Sequence, residues 1–561
     1  MHPSISNNMN PKINTSNRLI NTLSKGFFAL LLLTAISCTK DFDDLNTNPQ
    51  GFTTATDGSL FNNVIQSLVP TGNEMFYVQN EILYKQTQLA ALTKAAWGNY
   101  SLGTEDIWSN YYSTMPEIRE LQRRFSLYDT TPELRNMQAM LKIVVALKTF
   151  KLTDLFGDIP YSEAGYGFQN LDYLRPKYDS QRSIYLSLLD DLAWAEKNIN
   201  PSAIAAEPFK SFAPFDKFFS GDLLKWRKLS NSLRLRHALR MVEKEPEIAG
   251  EIIRDIMENN KPVLDGYSFI TPKLESACLW PAASGFKHEA LNWSFREHNN
   301  LRMGSLLWSC LSANDSSNGS GIYDPRAMIF FETNNANKWR AFPQLASADT
   351  PPSGGIPYGS HRDQVGAFAI KGETNIYSPF NYFLIRDEDQ MPIIFMTGAE
   401  VHYIKSEIYF RGLGVAEDKA QAEIEYFNGI NSSVEWWLQR AAASKLPTSG
   451  IAFNEVINIP QFLNAATVQS RWGFWNAGSE DDKLAFIYTQ AWIDAFRQPE
   501  QAYALVRRST KTPRVGEPLQ HFRLPYPPSE AAYNAQNLNE AIARQGGDSP
   551  QTKIWWMSNS N

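Results

Sequence analysis

The chain has 561 residues, 43% of them apolar, with 53 basic against 59 acidic side chains and a net charge of −6. That is several times the usual domain length, with apolar material for more than one core. The acidic balance excludes a nucleic-acid surface carried by bulk positive charge, and 3 cysteines without a CxxC pair exclude a zinc knuckle. The 15 Trp, 23 Tyr and 33 Phe suit stacking on flat or ring-like ligands, although large cores absorb most such residues.

At the N-terminus, Lys12, Arg18 and Lys25 stand without an acid, and 27–36 (FFALLLLTAI) is an apolar run. It is too short to span a bilayer, which takes about 20 residues. Ser37 and Cys38 follow. The arrangement resembles a lipoprotein signal peptide, with residues 1–37 removed and Cys38 lipidated; an ordinary secretory signal cut elsewhere is the alternative. The acidic tract after Cys38, TKDFDDLNTNP, resembles a surface-export signal of some Gram-negative lipoproteins. Loss of 1–37 removes three basic residues and no acid, leaving 50 basic against 59 acidic residues, a net −9. Residues 38–59 read as a polar tether.

Helical patterns then occupy 60–69 and 75–96. The stretch 97–103 (WGNYSLG) breaks the pattern with two aromatics beside glycines, and reads as a loop. Helices resume at 106–128, where Pro116 predicts a kink or split, and at 132–152. A compact turn, DLFGDIPYSEA at 154–164, leads to a helix over 185–198. The next helix, 222–241, has Asp222 as its cap and apolar residues around most of its circumference, which makes it interior. Its Arg234 and Arg236 therefore need acidic partners. Glu400 and Glu407, seven apart on one helix face, are the expected ones. Their separation along the helix, about 10 Å, suits ion pairing better than a glycosidase pair straddling its substrate. Alternating helices and short loops predict a mostly α fold: a tetratricopeptide-like scaffold over 60–260 and a C-terminal helical scaffold and tail over 391–561. Between them, 261–390 is a loop-rich, mixed lobe with Trp280, Trp293, Trp308 and Trp339 and irregular loops at 316–321 and 349–363. Long loops on a helical scaffold are where binding concentrates.

A set of motifs carries a family resemblance. In order they are DLFGDIPYSEA; Pro176-Lys177-Tyr178-Asp179 leading into SIYLSLLDDLAWAEKNI; LLKWRKLSNSLRLRHALRM; Asp324-Pro325-Arg326; PIIFMTGAEVHYIKSEIYFRG; AEIEYFNGINSSVEWW; FIYTQAWIDAF; Arg507-Arg508; Arg523-x-Pro525-Tyr526-Pro527-x-x-Glu530; and Trp555-Trp556. Together, over nearly the whole chain, they resemble the SusD-like (SusD/RagB) family of nutrient-binding outer-membrane lipoproteins. Lys405 and Ser406 depart from the family pattern, which more often has Ala flanking the Glu. The resemblance implies a lipid-anchored, surface-exposed protein. It implies an oligosaccharide or peptide ligand passed to a SusC-like TonB-dependent transporter, with this chain as the lid. It also implies a ligand face made by the lobe and a loop of the helical half, which by position is 97–102. Trp97, Asn99 and Tyr100 are the first candidates, then Trp293 and Trp339.

Chemistry is sparse. The seven histidines follow no zincin spacing, and there is no P-loop, Gly-x-Ser-x-Gly elbow or dinucleotide fingerprint. Asp387-Glu388-Asp389 lacks the spaced ligands of an EF-hand. No enzyme activity, cofactor, metal or nucleic-acid partner is expected; an exported glycan hydrolase is the alternative. Cys278 and Cys310 leave one disulfide possible.

Overall fold

Capping side chains fix several helix starts in the computed structural model, which describes residues 55–94, 100–266, 275–281, 300–314, 316–353, 375–381, 391–443 and 463–557. Asp57–Asn561 forms one compact unit, separate from Met1–Thr56. The first helix of the larger unit, α1 (Asp57–Gln66), is succeeded by a π-helical stretch, Glu74–Leu83, a short helical turn ending at Gln88, and strand β1 (Ala91–Leu92). Helices α2 (Tyr100–Phe125) and α3 (Pro132–Phe156) come next. Thr131 caps α3 by accepting from the Leu134 N–H, with Pro132 in the first turn, where a missing N–H costs nothing. Strands β2 (Ile159–Pro160) and β3 (Tyr178–Asp179) pair around the 154–164 turn. Then come α4 (Gln181–Asn198), α5 (Leu223–Met241) and α6 (Pro246–Met257). Consecutive helices from α2 to α6 pack on their sequence neighbours, α4 and α5 included although a longer connection joins them. This is the stacked-hairpin order that the alternation predicts.

The lobe contributes β4 (Ser276–Leu279), β5 (Leu301–Arg302), α7 (Ser305–Leu311) and α8 (Arg326–Phe330). The C-terminal part adds β6 (Ile393–Thr397), α9 (Gly398–Arg411), α10 (Lys419–Ala443), α11 (Ala465–Trp472), α12 (Glu480–Asp494), α13 (Pro499–Arg508), α14 (Pro528–Tyr533) and α15 (Ala535–Gln545). The described strands form three antiparallel pairs, β1–β5, β2–β3 and β4–β6, so the fold is mostly helical.

Among the described residues three large apolar clusters and a small one, Ala91 with Phe342 and Tyr377, hold it. The largest spans α1 to α6 and also takes in Tyr503, Leu524, Tyr526 and Trp556 of the tail. The second unites the lobe with Trp437, Trp492 and Phe496. The third lies among α9, α10, α11 and α12. Cys278 and Cys310 both sit in the second cluster as free, buried thiols, so the disulfide left open by the sequence is not formed. Burial pushes each thiol up to about 12.

Helix α5 is the interior beam. Trp226, Leu229, Leu233, Leu235 and Met241 are inaccessible, and Asp222 accepts from the N–H groups of Leu224 and Lys225 at 3.1 and 3.2 Å. Arg236 makes the predicted bidentate pair with Glu400, at 2.6 and 2.5 Å. Two other expectations are corrected. Arg234 pairs with Asp255 of α6 at 2.8 Å. Glu407 turns away from α5 to Arg508 (2.6 and 2.7 Å), Arg411 (2.9 Å) and the Tyr488 hydroxyl (2.8 Å). The two glutamates are seven residues apart, close to two helical turns, but they serve different neighbours because α9 is wedged between α5 and α12.

Candidate ligand-binding cleft

The structure joins the two halves from which the sequence builds a ligand face. Strand β1 leads into the 97–103 region, and it pairs with β5 of the lobe, Ala91 opposite Arg302 and Leu92 opposite Leu301. The Thr93 N–H and hydroxyl both donate to the Asn300 carbonyl, at 2.9 and 3.1 Å. The connection carrying Trp97 and Asn99 thus leaves from the lobe's edge. Trp97, Asn99, Trp293 and Cys38 themselves lie outside the described residues, as does the 387–389 acidic cluster. Tyr100 does not lie in a loop. It opens α2, with 38% of its surface exposed. Gly103, read as a turn glycine, lies within the helix, where a side chain would strike Val78 and the Asn73 carbonyl, at 2.8 and 2.9 Å.

On the lobe, Ser317, Asn334, Lys338, Trp339, Arg340, Asn375 and Ile376 line an open cleft of about 510 Å³, within the usual size range for small-ligand sites. Its wall is a tight turn. The Asn334 side-chain oxygen accepts from the N–H groups of Ala336 and Lys338, both at 3.0 Å, and its amide donates to the Ile376 carbonyl at 2.8 Å. Asn337 takes the left-handed conformation, φ 55°, which Asn tolerates. The chain then runs extended, so alternate side chains face opposite ways. Lys338 and Arg340 point out to solvent, and Trp339 between them points in.

That alternation sets Trp339 on the inward side of the cleft wall. Its ring stacks on Trp308, centroids 5.6 Å apart and planes 13° off parallel, and only 2% of it is exposed. It forms the cleft's floor and offers no free stacking face. Its indole N–H is buried without a hydrogen-bond partner. The residues that do present hydrogen-bonding groups are Ser317, Lys338 and Arg340, none of them aromatic and none singled out by the sequence. Arg340 lies against the Tyr377 ring, 5.0 Å from its centroid, and Ser378 fixes its backbone at 3.1 and 2.8 Å. The Asn375 side chain accepts from Arg302 at 2.9 Å and donates to the Tyr377 carbonyl at 2.7 Å, holding the opposite wall. The signal that could have found these residues is the Asn-rich run at 334–337: a turn leading to an aromatic with a basic residue on each side.

None of the described residues lining this cleft is Asp or Glu. The two glutamates weighed as a catalytic pair are both engaged elsewhere. Burial opposes the charge of Glu407, but Arg508 and then Arg411 outweigh it and hold the carboxyl down to about 2, so it cannot serve as an acid near neutrality. A more enclosed cavity of about 110 Å³ lies among α2, α3, α5, β6 and α13. Lys151 pairs with Glu74 and Arg240 with Asp154, while Lys148, which burial lowers to about 7, donates to Asn110 and the Ser67 carbonyl at 2.5 and 2.9 Å. The cavity is part of the scaffold's polar interior. Among the described residues no cluster of His, Cys, Asp and Glu could hold a metal ion, and no helix is long and apolar enough to cross a membrane.

The SusD-like family described as "Starch-binding associating with outer membrane" matches residues 49–521. Among solved structures, a chitin-binding protein is similar at 22% identity and TM-score 0.67, covering 90% of this chain and 100% of that one. A SusD-like protein from Bacteroides thetaiotaomicron is similar at 20% identity and TM-score 0.64, covering 90% and 99%. A SusD homolog from Parabacteroides distasonis gives 20% identity and TM-score 0.66, covering 90% and 98%. At such identities the likeness is one of fold. No curated protein matches.

Proposed function

The chain belongs to the SusD-like family of starch-binding proteins that associate with the outer membrane, and from that premise we propose that it captures an oligosaccharide at the cell surface and hands it to a TonB-dependent transporter. The observation that carries the reading is the lobe cleft. It is open, floored by Trp339 and Ile376, rimmed by the donors of Ser317, Lys338 and Arg340, and free of carboxylates among its described residues. Such a site satisfies sugar hydroxyls without supplying the paired acids of glycan hydrolysis. The pairing of β1 with β5 supports a ligand face shared with Trp97, Asn99 and Tyr100. A solved structure of similar fold is named as a chitin-binding protein, so chitin oligosaccharides join starch oligosaccharides as first candidates.

The test is calorimetry with both oligosaccharide series, followed by chromatography of the incubated sugar. Binding with the sugar recovered intact is the expected result. Release of shorter products would make the chain a glycan hydrolase instead, and a peptide ligand bound where no sugar binds would move the substrate class. Membrane attachment is proposed to run through Cys38. Cys38→Ala should free the protein from membranes, since one lipidated residue is the attachment the sequence offers; persistence of the variant in the outer-membrane fraction would count against it.

A further inference from the structure

A second aromatic platform lies on the helical scaffold. Trp475 sits in the 3-10 turn Phe474–Asn476 between α11 and α12, and 65% of its surface is exposed. Large apolar side chains reach the surface singly in most proteins, but this one borders a concavity. With Phe410, Lys419, Ala420, Glu423, Phe474 and Lys483 it lines an open cleft of about 330 Å³ that shares no residue with the cleft of the lobe.

The platform is held in place. The Asn476 amide donates to the carbonyls of Ser470 and Arg471 at 2.8 and 3.1 Å, and its N–H donates to the Gly473 carbonyl at 2.9 Å. Phe474, next to the tryptophan, is stacked on Tyr426 at 4.8 Å in the third core. One side of the indole covers Gly473, where a side chain would come within 2.4 Å of the ring. Its edge meets Phe427 of α10, centroids 5.6 Å apart. What remains exposed is a rigid aromatic surface.

Hydrogen-bonding groups surround it. The Lys419 ammonium lies 3.5 Å from the Phe410 ring centroid and donates to the Phe410 carbonyl at 2.6 Å. Lys483 pairs with Glu480 at 2.6 Å, and Glu480 also lies 3.7 Å from Lys419. Lys419 also lies 3.6 Å from Glu417, and Glu423 lines the cleft, so each ammonium group is engaged by a carboxylate and no free cation is left to select an anionic ligand. An exposed indole within a ring of paired donors and acceptors matches an uncharged pyranose: its C–H face stacks and its edge hydroxyls are hydrogen-bonded. A protein contact fits less well. It needs about 800 Å² per partner around an apolar centre, and among the described residues near this cleft only Ile424, 54% exposed, joins Trp475 as an exposed large apolar side chain.

We infer that Trp475, Lys419, Glu423 and Lys483 form a second, neutral-glycan contact site on the scaffold, which lets one long polysaccharide touch the molecule at two places. The inference rests on the glycan-binding reading above. The test is native gel electrophoresis through soluble starch or glycol chitin, comparing wild type, Trp475→Ala and Trp475→Tyr, with calorimetry on maltohexaose and chitohexaose alongside. Loss of one stacking face should weaken retention by about two- to tenfold, with Trp475→Tyr restoring most of it. Melting temperature and hexasaccharide binding at the lobe should stay unchanged. Equal retention of Trp475→Ala and wild type would overturn the second site and leave the lobe reading standing. Retention of neither protein in any polymer, with no hexasaccharide bound, would remove the glycan reading and this inference with it. A Trp475-dependent change in sedimentation without polysaccharide would assign the face to a protein contact instead.

Discussion

Arg234 and Arg240 lie six residues apart on α5, and both are almost wholly buried, yet their removal should cost different amounts. Arg240 pairs with Asp154, which is 5% exposed, and Asp154 also accepts from the Tyr185 hydroxyl and the Trp556 indole. Arg240→Ala leaves a stranded interior carboxylate, a loss of about 3–5 kcal/mol. Asp255, the partner of Arg234, keeps 37% of its side chain in water, so it is rehydrated when the guanidinium goes. Arg234→Ala should cost about 1.5–3 kcal/mol, the scale of one charged hydrogen bond. Urea melts of the two variants decide it; equal losses would mean that partner exposure does not set the cost. The sequence shows that these arginines need acids, because the helix is apolar nearly all round, but it cannot say which acids, since that depends on helices far apart in the chain. Glu407 gives the pH dependence. Its carboxyl is held near about 2, below the unfolded value of about 4.3. A depressed carboxyl contributes stability above the unfolded value and loses it as pH falls through the folded one. Wild type should therefore lose stability as pH drops from about 4.3 to about 2. Glu407→Gln, weaker at pH 7 because Arg508 loses the Glu407 carboxylate, should show a shallower decline over that window. A parallel decline in both proteins would assign the acid limb to other groups.

At the scale of elements, glycines explain both what could be read and what could not. Gly98 and Gly103 suggest a loop between them, and Gly103 is instead a helical residue that lets α2 approach the π-helical stretch. A glycine kept for close packing and a glycine kept for a turn look alike in one sequence. Helix α5 was legible almost to the residue because its cap, its length and its wrapped apolar surface agree. The π-helical geometry of Glu74–Leu83 had no such signal. Gly414 and Gly250 separate the two roles experimentally. Gly414 lies just beyond α9 with φ 69°, and a side chain there would sit 2.5 Å from the Gly250 carbonyl of α6. Gly414→Ala combines left-handed strain, about 1–2 kcal/mol, with a clash against backbone that cannot rotate away. The reverse substitution, Gly250→Ala, meets only Gly414 backbone, its Cα at 3.7 Å and its nitrogen at 4.0 Å, and gains up to about 1 kcal/mol of helix propensity. Thermal melts should show the first variant destabilised and the second at or above wild type; the opposite order would show that α6 moves to accommodate the change.

For the whole molecule, the change of character after residue 260, where helical periodicity fades, was visible in the sequence. The lobe's attachment was not, because β1 and β5 are about 210 residues apart in the chain and each is only two residues long. Nor was the tail's return: Leu524, Tyr526 and Trp556 pack into the first core, so the C-terminus closes the scaffold that the N-terminal helices begin. Trp339 at the cleft shares a core with Trp437, Trp492 and Phe496 of the C-terminal helices, so ligand should register as stability of the whole. A ligand that binds only the folded state at roughly 100 times its Kd adds about 2.7 kcal/mol, seen as a rise in melting temperature. Arg340 is exposed, rests on Tyr377 and holds no ion pair among those found in the described residues, so Arg340→Ala should leave the unliganded melting temperature unchanged. If its guanidinium donates to a sugar hydroxyl, affinity should fall by about tenfold, about 1.4 kcal/mol, and the same ligand concentration should then add only about 1.4 kcal/mol. Two outcomes would count against the cleft. An undiminished shift would mean that the sugar binds elsewhere. A lower melting temperature without ligand would mean that Arg340 braces Tyr377 rather than waiting for a substrate.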